Sequence, residues 1–78
     1  MELEWKHSVG NDVDLFNDGK FVAWVDGDVR PYRVQITYTL AGDMMPCENA
    51  EYVTLRQAMR ALRETVTILL IGESYGSN

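Results

Sequence analysis

The side chains of this 78-residue chain best suited to chemistry are one histidine, His7, one cysteine, Cys47, and three closely spaced aspartates, Asp12, Asp14 and Asp18. A calcium loop of the EF-hand type needs a glycine at its sixth position and a bidentate glutamate at its twelfth. Counted from Asp12, those positions hold Asn17 and Ala23, so the aspartates do not make such a loop. Nucleophilic catalysis by Cys47 would need an imidazole beside it and a third group to orient that imidazole. Cys47 follows Pro46 in a stretch that reads as a loop, His7 lies in an alternating run, and no second histidine supports the pair. No Cys/His spacing suits zinc. The six glycines stand singly, without the clustered pattern that cradles a phosphate. The chain is therefore expected not to be an enzyme and to carry neither metal nor cofactor.

Binding is the chemistry that remains. Desolvated aromatic side chains dominate interface energy, while charges steer the encounter. Asp12, Asp14, Asp26 and Asp28, with Trp24 as anchor, are accordingly the expected protein-contacting set. Arg56, Arg60 and Arg63 are spaced by four and three and form one basic stripe on a helix. Their planar forks suit phosphate or carboxylate, which makes a nucleic-acid-binding module the alternative reading. The net charge of −5 works against nucleic acid and membrane surfaces. It is unevenly placed, since Met1 to Glu51 holds ten acids and four bases while the remainder is slightly basic. Another protein is thus the expected partner, with nucleic acid second and no membrane.

The elements that must position these residues are legible from periodicity. Leu3, Trp5 and His7 alternate with charged residues as a first strand, and Val13 and Leu15 alternate with aspartates as a second. Asn17-Asp18-Gly19 between alternating runs is a hairpin signal, because glycine accepts positive φ without strain. In Lys20 to Val25, strict alternation puts Phe21, Ala23 and Val25 on one side and Val22 and Trp24 on the other. Pro31 cannot donate to a sheet ladder, so the next strand is expected from Tyr32 to Leu40, followed over Ala41 to Tyr52 by a loop or an irregular edge, with a brief pairing of Tyr52 and Val53 before the helix as a further option. Thr54 and Gln57 form a capping box. Leu55, Ala58, Met59, Leu62, Val66 and Leu69 then share one helical face. The helix is expected to end near Ile71 with Gly72 as its left-handed cap, or alternatively to give way to a short strand over 65–71.

Together these predict one α+β domain over 1–72 and a short tail over 73–78: an antiparallel meander of three to four strands with one C-terminal helix on one face. The expected core is Leu3, Trp5, Val13, Leu15, Phe21, Ala23, Val34, Ile36, Tyr38, Leu55, Met59, Leu62 and Val66. The opposite face would stay open, with Val22 and Trp24 on it, and a homodimer that buries this face is the expected assembly. The single cysteine excludes an internal disulfide, and apolar runs such as Ile68 to Ile71 are far below the roughly 20 residues of a membrane span. A cytoplasmic location is expected.

The run Trp5, Phe16-Asn17-Asp18-Gly19-Lys20-Phe21-Val22-Ala23-Trp24-Val25, Tyr32-Arg33-Val34 and Tyr52-Val53-Thr54-Leu55-Arg56-Gln57-Ala58 resembles small phage and prophage proteins of strand-strand-strand-helix plan. The same plan is similar to the arm-binding domains of tyrosine recombinases, whose open sheets enter the DNA major groove but are rich in Lys and Arg. This chain offers Lys6, Lys20, Arg30 and Arg33 amid ten acids. In size and charge it is similar instead to phage inhibitors of nucleic-acid-handling host defence enzymes, such as anti-CRISPR proteins. That likeness implies host cytoplasm as location and carries over no site residues.

Overall fold

The computed structural model describes residues 2–37 and 50–76. Within them the chain forms strands β1 (Leu3–His7), β2 (Val13–Asn17), β3 (Lys20–Asp26), β4 (Tyr32–Ile36) and β5 (Glu51–Tyr52), then helix α1 (Leu55–Gly76). The strands pair antiparallel in the order β1-β2-β3-β4-β5, an open meander of the α+β class. No described helix is long and apolar enough to cross a membrane.

Local chemistry accounts for each junction. Asp18 and Gly19 carry φ of 50° and 85°, the paired positive values of a two-residue hairpin turn whose twist matches its strands. β4 begins directly after Pro31, and the Arg30–Pro31 peptide is cis. At the helix start the Gln57 N–H donates to Thr54 Oγ1 (3.1 Å) and the Thr54 N–H to Gln57 Oε1 (3.4 Å), which closes the capping box.

The helix lies across the sheet face that carries Leu15, Ala23, Val25, Val34 and Ile36, and contributes Ala58, Leu62 and Val66 to the same buried cluster. Leu3, Trp5, Tyr32, Tyr52, Leu55, Met59, Leu69 and Leu70 pack at its margin. Val13 is buried on the same side, opposite Val25. At ~25 cal/mol per Å² of apolar surface removed from water, this one layer provides the main drive for folding.

Four expectations change. The brief pairing before the helix forms at Glu51 and Tyr52 rather than Tyr52 and Val53, against Arg33 and Tyr32, and makes the sheet five-stranded as β5. The helix runs through Gly72 to Gly76, so neither a cap at Gly72 nor a strand over 65–71 forms. One glycine costs a helix about 1 kcal/mol, too little to stop it where no proline follows. Thr67 further accommodates to the helix by donating its hydroxyl to the Arg63 carbonyl at 2.8 Å.

The fourth change concerns β3. Leu15 pairs with Ala23, but Phe16 pairs with Phe21, so one extra residue, Val22, is inserted between them. This bulge breaks the alternation. Val22 joins the core at 8% exposure, and Phe21 is turned out at 43%. Phe21 is therefore not a core residue, and Val22 is not part of the open face. The Val22 carbonyl still finds a partner, accepting from the Thr37 N–H at 2.9 Å. The expected core residue Tyr38, the far end of the expected nine-residue strand and Cys47 lie outside the described residues.

Candidate functional site

Directly opposite residues of paired strands share a face, so the register defines what the helix leaves uncovered. One cross-sheet row there is Glu4, Phe16 and Phe21. The next is Lys6, Asp14, Trp24 and Gln35. The third is Asp26, Arg33 and Glu51. Because the bulge moves Phe21 into the first row, three aromatic side chains become neighbours. Phe16 meets Phe21 edge to face, centroids 5.8 Å apart at 61°. Phe21 stacks on Trp24 at 5.4 Å and 23°. Lys6 Nζ lies 4.8 Å from the Phe16 centroid, in the position of a cation on an aromatic face.

Four acids and two bases surround this cluster in the same three rows. Arg33 is committed to Glu51 at 3.4 Å, and Lys6 to the Phe16 ring. Among the described residues, Glu4, Asp14 and Asp26 have no ion-pair partner. The patch is apolar at its centre and negative at its edge.

Of the expected contact residues, Asp14 and Trp24 are direct cross-strand partners, and Asp26 follows Trp24 by two on the same face. Asp12 and Asp28 lie beyond, at the end of the sheet where the β1–β2 and β3–β4 connections meet. There the carboxylate oxygens of Asp12, Asp26 and Asp28 come within 4.8 Å of one another. Each is held by the chain: Gly27 N–H donates to Asp12 Oδ1 (3.0 Å), Asp28 N–H to Asp26 Oδ1 (3.0 Å) and Asn11 Nδ2 to Asp28 Oδ1 (2.9 Å). The closeness requires glycine at 27, since a Cβ there would stand 1.8 Å from the Asn11 carbonyl oxygen. Asp18, at the opposite turn, accepts from the Glu2 N–H at 3.0 Å and takes no part in this cluster.

Arg56, Arg60 and Arg63 are all exposed along α1, as their spacing requires. Arg60 is paired with Glu64 at 3.4 Å, with both side chains largely in solvent. A groove of about 540 Å³ is lined, among the described residues, by Arg60, Arg63, Glu64, Thr67 and Ile68. A smaller one of about 280 Å³, at the end of the sheet where the β1–β2 and β3–β4 connections meet, includes His7, Asn11, Arg30, Tyr32 and Leu55. In it the Arg30 guanidinium lies 4.1 Å from the Tyr32 ring centroid and donates to the Gly27 carbonyl at 2.9 Å.

Phe16 and Phe21 are the members of the open face that the sequence reading missed. Their signal is the hairpin itself: a two-residue Asp-Gly turn makes Asn17 oppose Lys20 and Phe16 oppose Phe21, which fixes both rings on one face. Comparison with protein-family models, characterised proteins and solved structures finds no match for this chain.

Proposed function

We propose that this chain acts by binding another protein through the open face of its sheet, with no chemistry of its own. The observation that carries this reading is the Phe16–Phe21–Trp24 cluster, three large rings gathered on the face away from the helix. Aromatic clusters flanked by charges are the usual anatomy of an interface centre. The resemblance to phage and prophage proteins suggests the setting: a phage-derived inhibitor in the host cytoplasm, acting on a nucleic-acid-handling defence enzyme whose charged groove an acidic face complements.

The test is affinity capture from host lysate with the wild-type chain beside a Phe21→Ser/Trp24→Ser variant. A protein retained by the wild type and lost by a folded variant supports the reading. Equal retention by both, or no specific partner at low and moderate salt, refutes it. The alternative, nucleic acid bound by Arg56, Arg60 and Arg63, has as its support only an exposed stripe in which Arg60 is already neutralised by Glu64. A titration with duplex and single strands at low salt decides it, because phosphate contacts weaken steeply as salt rises.

A further inference from the structure

From the open face we infer the chemistry of the partner segment: an extended, arginine-bearing stretch of polypeptide that lies along β3 and sets guanidinium groups on the Phe21–Trp24 stack, against Asp14 and Asp26. This rests on the protein-binding reading above and narrows it. Three observations point to a cation. The chain itself seats one here, Lys6 over Phe16 at 4.8 Å, so the ring faces at this surface accept positive charge. The neighbouring Phe21–Trp24 stack carries no such cation among the described residues, and Phe21 is 43% exposed. Asp14 is the direct cross-strand partner of Trp24, Asp26 lies two residues along the same strand, and neither has an ion-pair partner among the described residues.

The spacing favours a chain over a lone ion. Asp14 and Trp24 are about 5 Å apart at Cβ as opposed residues, and Trp24 and Asp26 about 6.6 Å apart along the strand. An extended peptide repeats its same-side residues at that same interval of about 6.6 Å, so basic groups at alternate positions fall in step with ring and carboxylate. Arginine fits better than lysine because a planar guanidinium stacks on a ring and still offers its edge to a carboxylate. A second copy of this chain fits worse, since a two-fold contact through this face brings its acids toward each other.

The experiment is an NMR titration of the isotope-labelled full chain with hexa-arginine, hexa-lysine and hexa-glutamate peptides, read at the two tryptophan indole N–H signals. The expected result is saturable movement of the Trp24 indole and the Asp14 and Phe21 amides, little movement of Trp5, tighter binding of hexa-arginine than hexa-lysine, and none of hexa-glutamate. Asp14→Asn/Asp26→Asn should weaken hexa-arginine at least tenfold, and Trp24→Leu, which keeps bulk without the ring, severalfold. Movement spread evenly over all acidic residues with the Trp24 indole unmoved overturns the inference, as does undiminished binding by a folded Trp24→Leu. If that variant does not fold, the wild-type map still decides. A silent Trp24 together with a captured partner that needs Phe21 and Trp24 rejects the arginine chemistry alone; loss of both results rejects the protein-binding reading as well.

Discussion

Phe16 and Phe21 face each other across the β2–β3 hairpin, rings 5.8 Å apart at 61°, on the side of the sheet away from the helix. Their meeting has a cost elsewhere in the strand. With Val13 and Leu15 already facing the helix, Val25 must face it too, and only an inserted residue lets both ends of β3 keep their partners. Val22 is that residue, and it fills the core instead of the open face.

Exchanging the environments of these two neighbours provides the first test. A carboxylate at Val22 would be buried without a partner, at a cost of several kcal/mol that equals or exceeds the roughly 3–5 kcal/mol available to a chain of this size. Val22→Asp should therefore fail to give a cooperative thermal transition by circular dichroism. Phe21→Asp loses edge and stacking contacts of about 1 kcal/mol and should stay folded. The reverse ranking would restore strict alternation in β3.

How far the fold is legible follows from the same strand. Asp18-Gly19, Pro31 and the Thr54/Gln57 pair each act locally, so turn, strand start and helix cap are all where their residue types dictate. The bulge reflects two registers in conflict, one counted from the turn and one from the helix-covered face, and a period of two read along β3 alone contains neither. Gly72 shows the complementary limit: a glycine permits a left-handed cap without requiring one. For the site, the period of two and the cross-strand register set Asp14, Trp24 and Asp26 on one face, but the gathering of Asp12 with Asp26 and Asp28 depends on two connections meeting, which no local pattern encodes.

That meeting point gives the second prediction. Gly27 is buried with its N–H donated to Asp12, and its Cα faces the Asn11 carbonyl so closely that any Cβ displaces backbone. Gly27→Ala should destabilise by about 1–3 kcal/mol, the usual range for overpacking, and should shift the amide signals of 10–12 and 26–28. An alanine variant with wild-type melting and spectra would show that the two connections do not touch in solution.

The helix offers a paired comparison. Leu62 is fully buried against the sheet, whereas Ile68 is 69% exposed. Leu62→Ala should cost about 2–5 kcal/mol, comparable to the whole stability. Ile68→Ser should change the urea midpoint little, since surface substitutions lie within about 0.5 kcal/mol. Equal effects would mean that α1 packs on the sheet through a different side.

Assembly depends on the same open face, now with Phe21 in place of Val22. Its rings favour self-association by burial of apolar surface, while Glu4, Asp14 and Asp26 oppose it, because an isologous contact sets each patch against its own copy. At moderate salt, where charges still act over about 8–10 Å, repulsion between these acids should win and the chain should sediment at its monomer mass of 8.9 kDa. In about 1 M salt the screening length falls to about 3 Å, and the apolar term is then left with weaker opposition. Sedimentation equilibrium should therefore show association rising with salt, and Phe21→Ser/Trp24→Ser should abolish that rise. A dimer that is tightest at low salt would mean instead that Lys6 and Arg33 pair with the acids of the second copy, and would make that copy the occupant of the face.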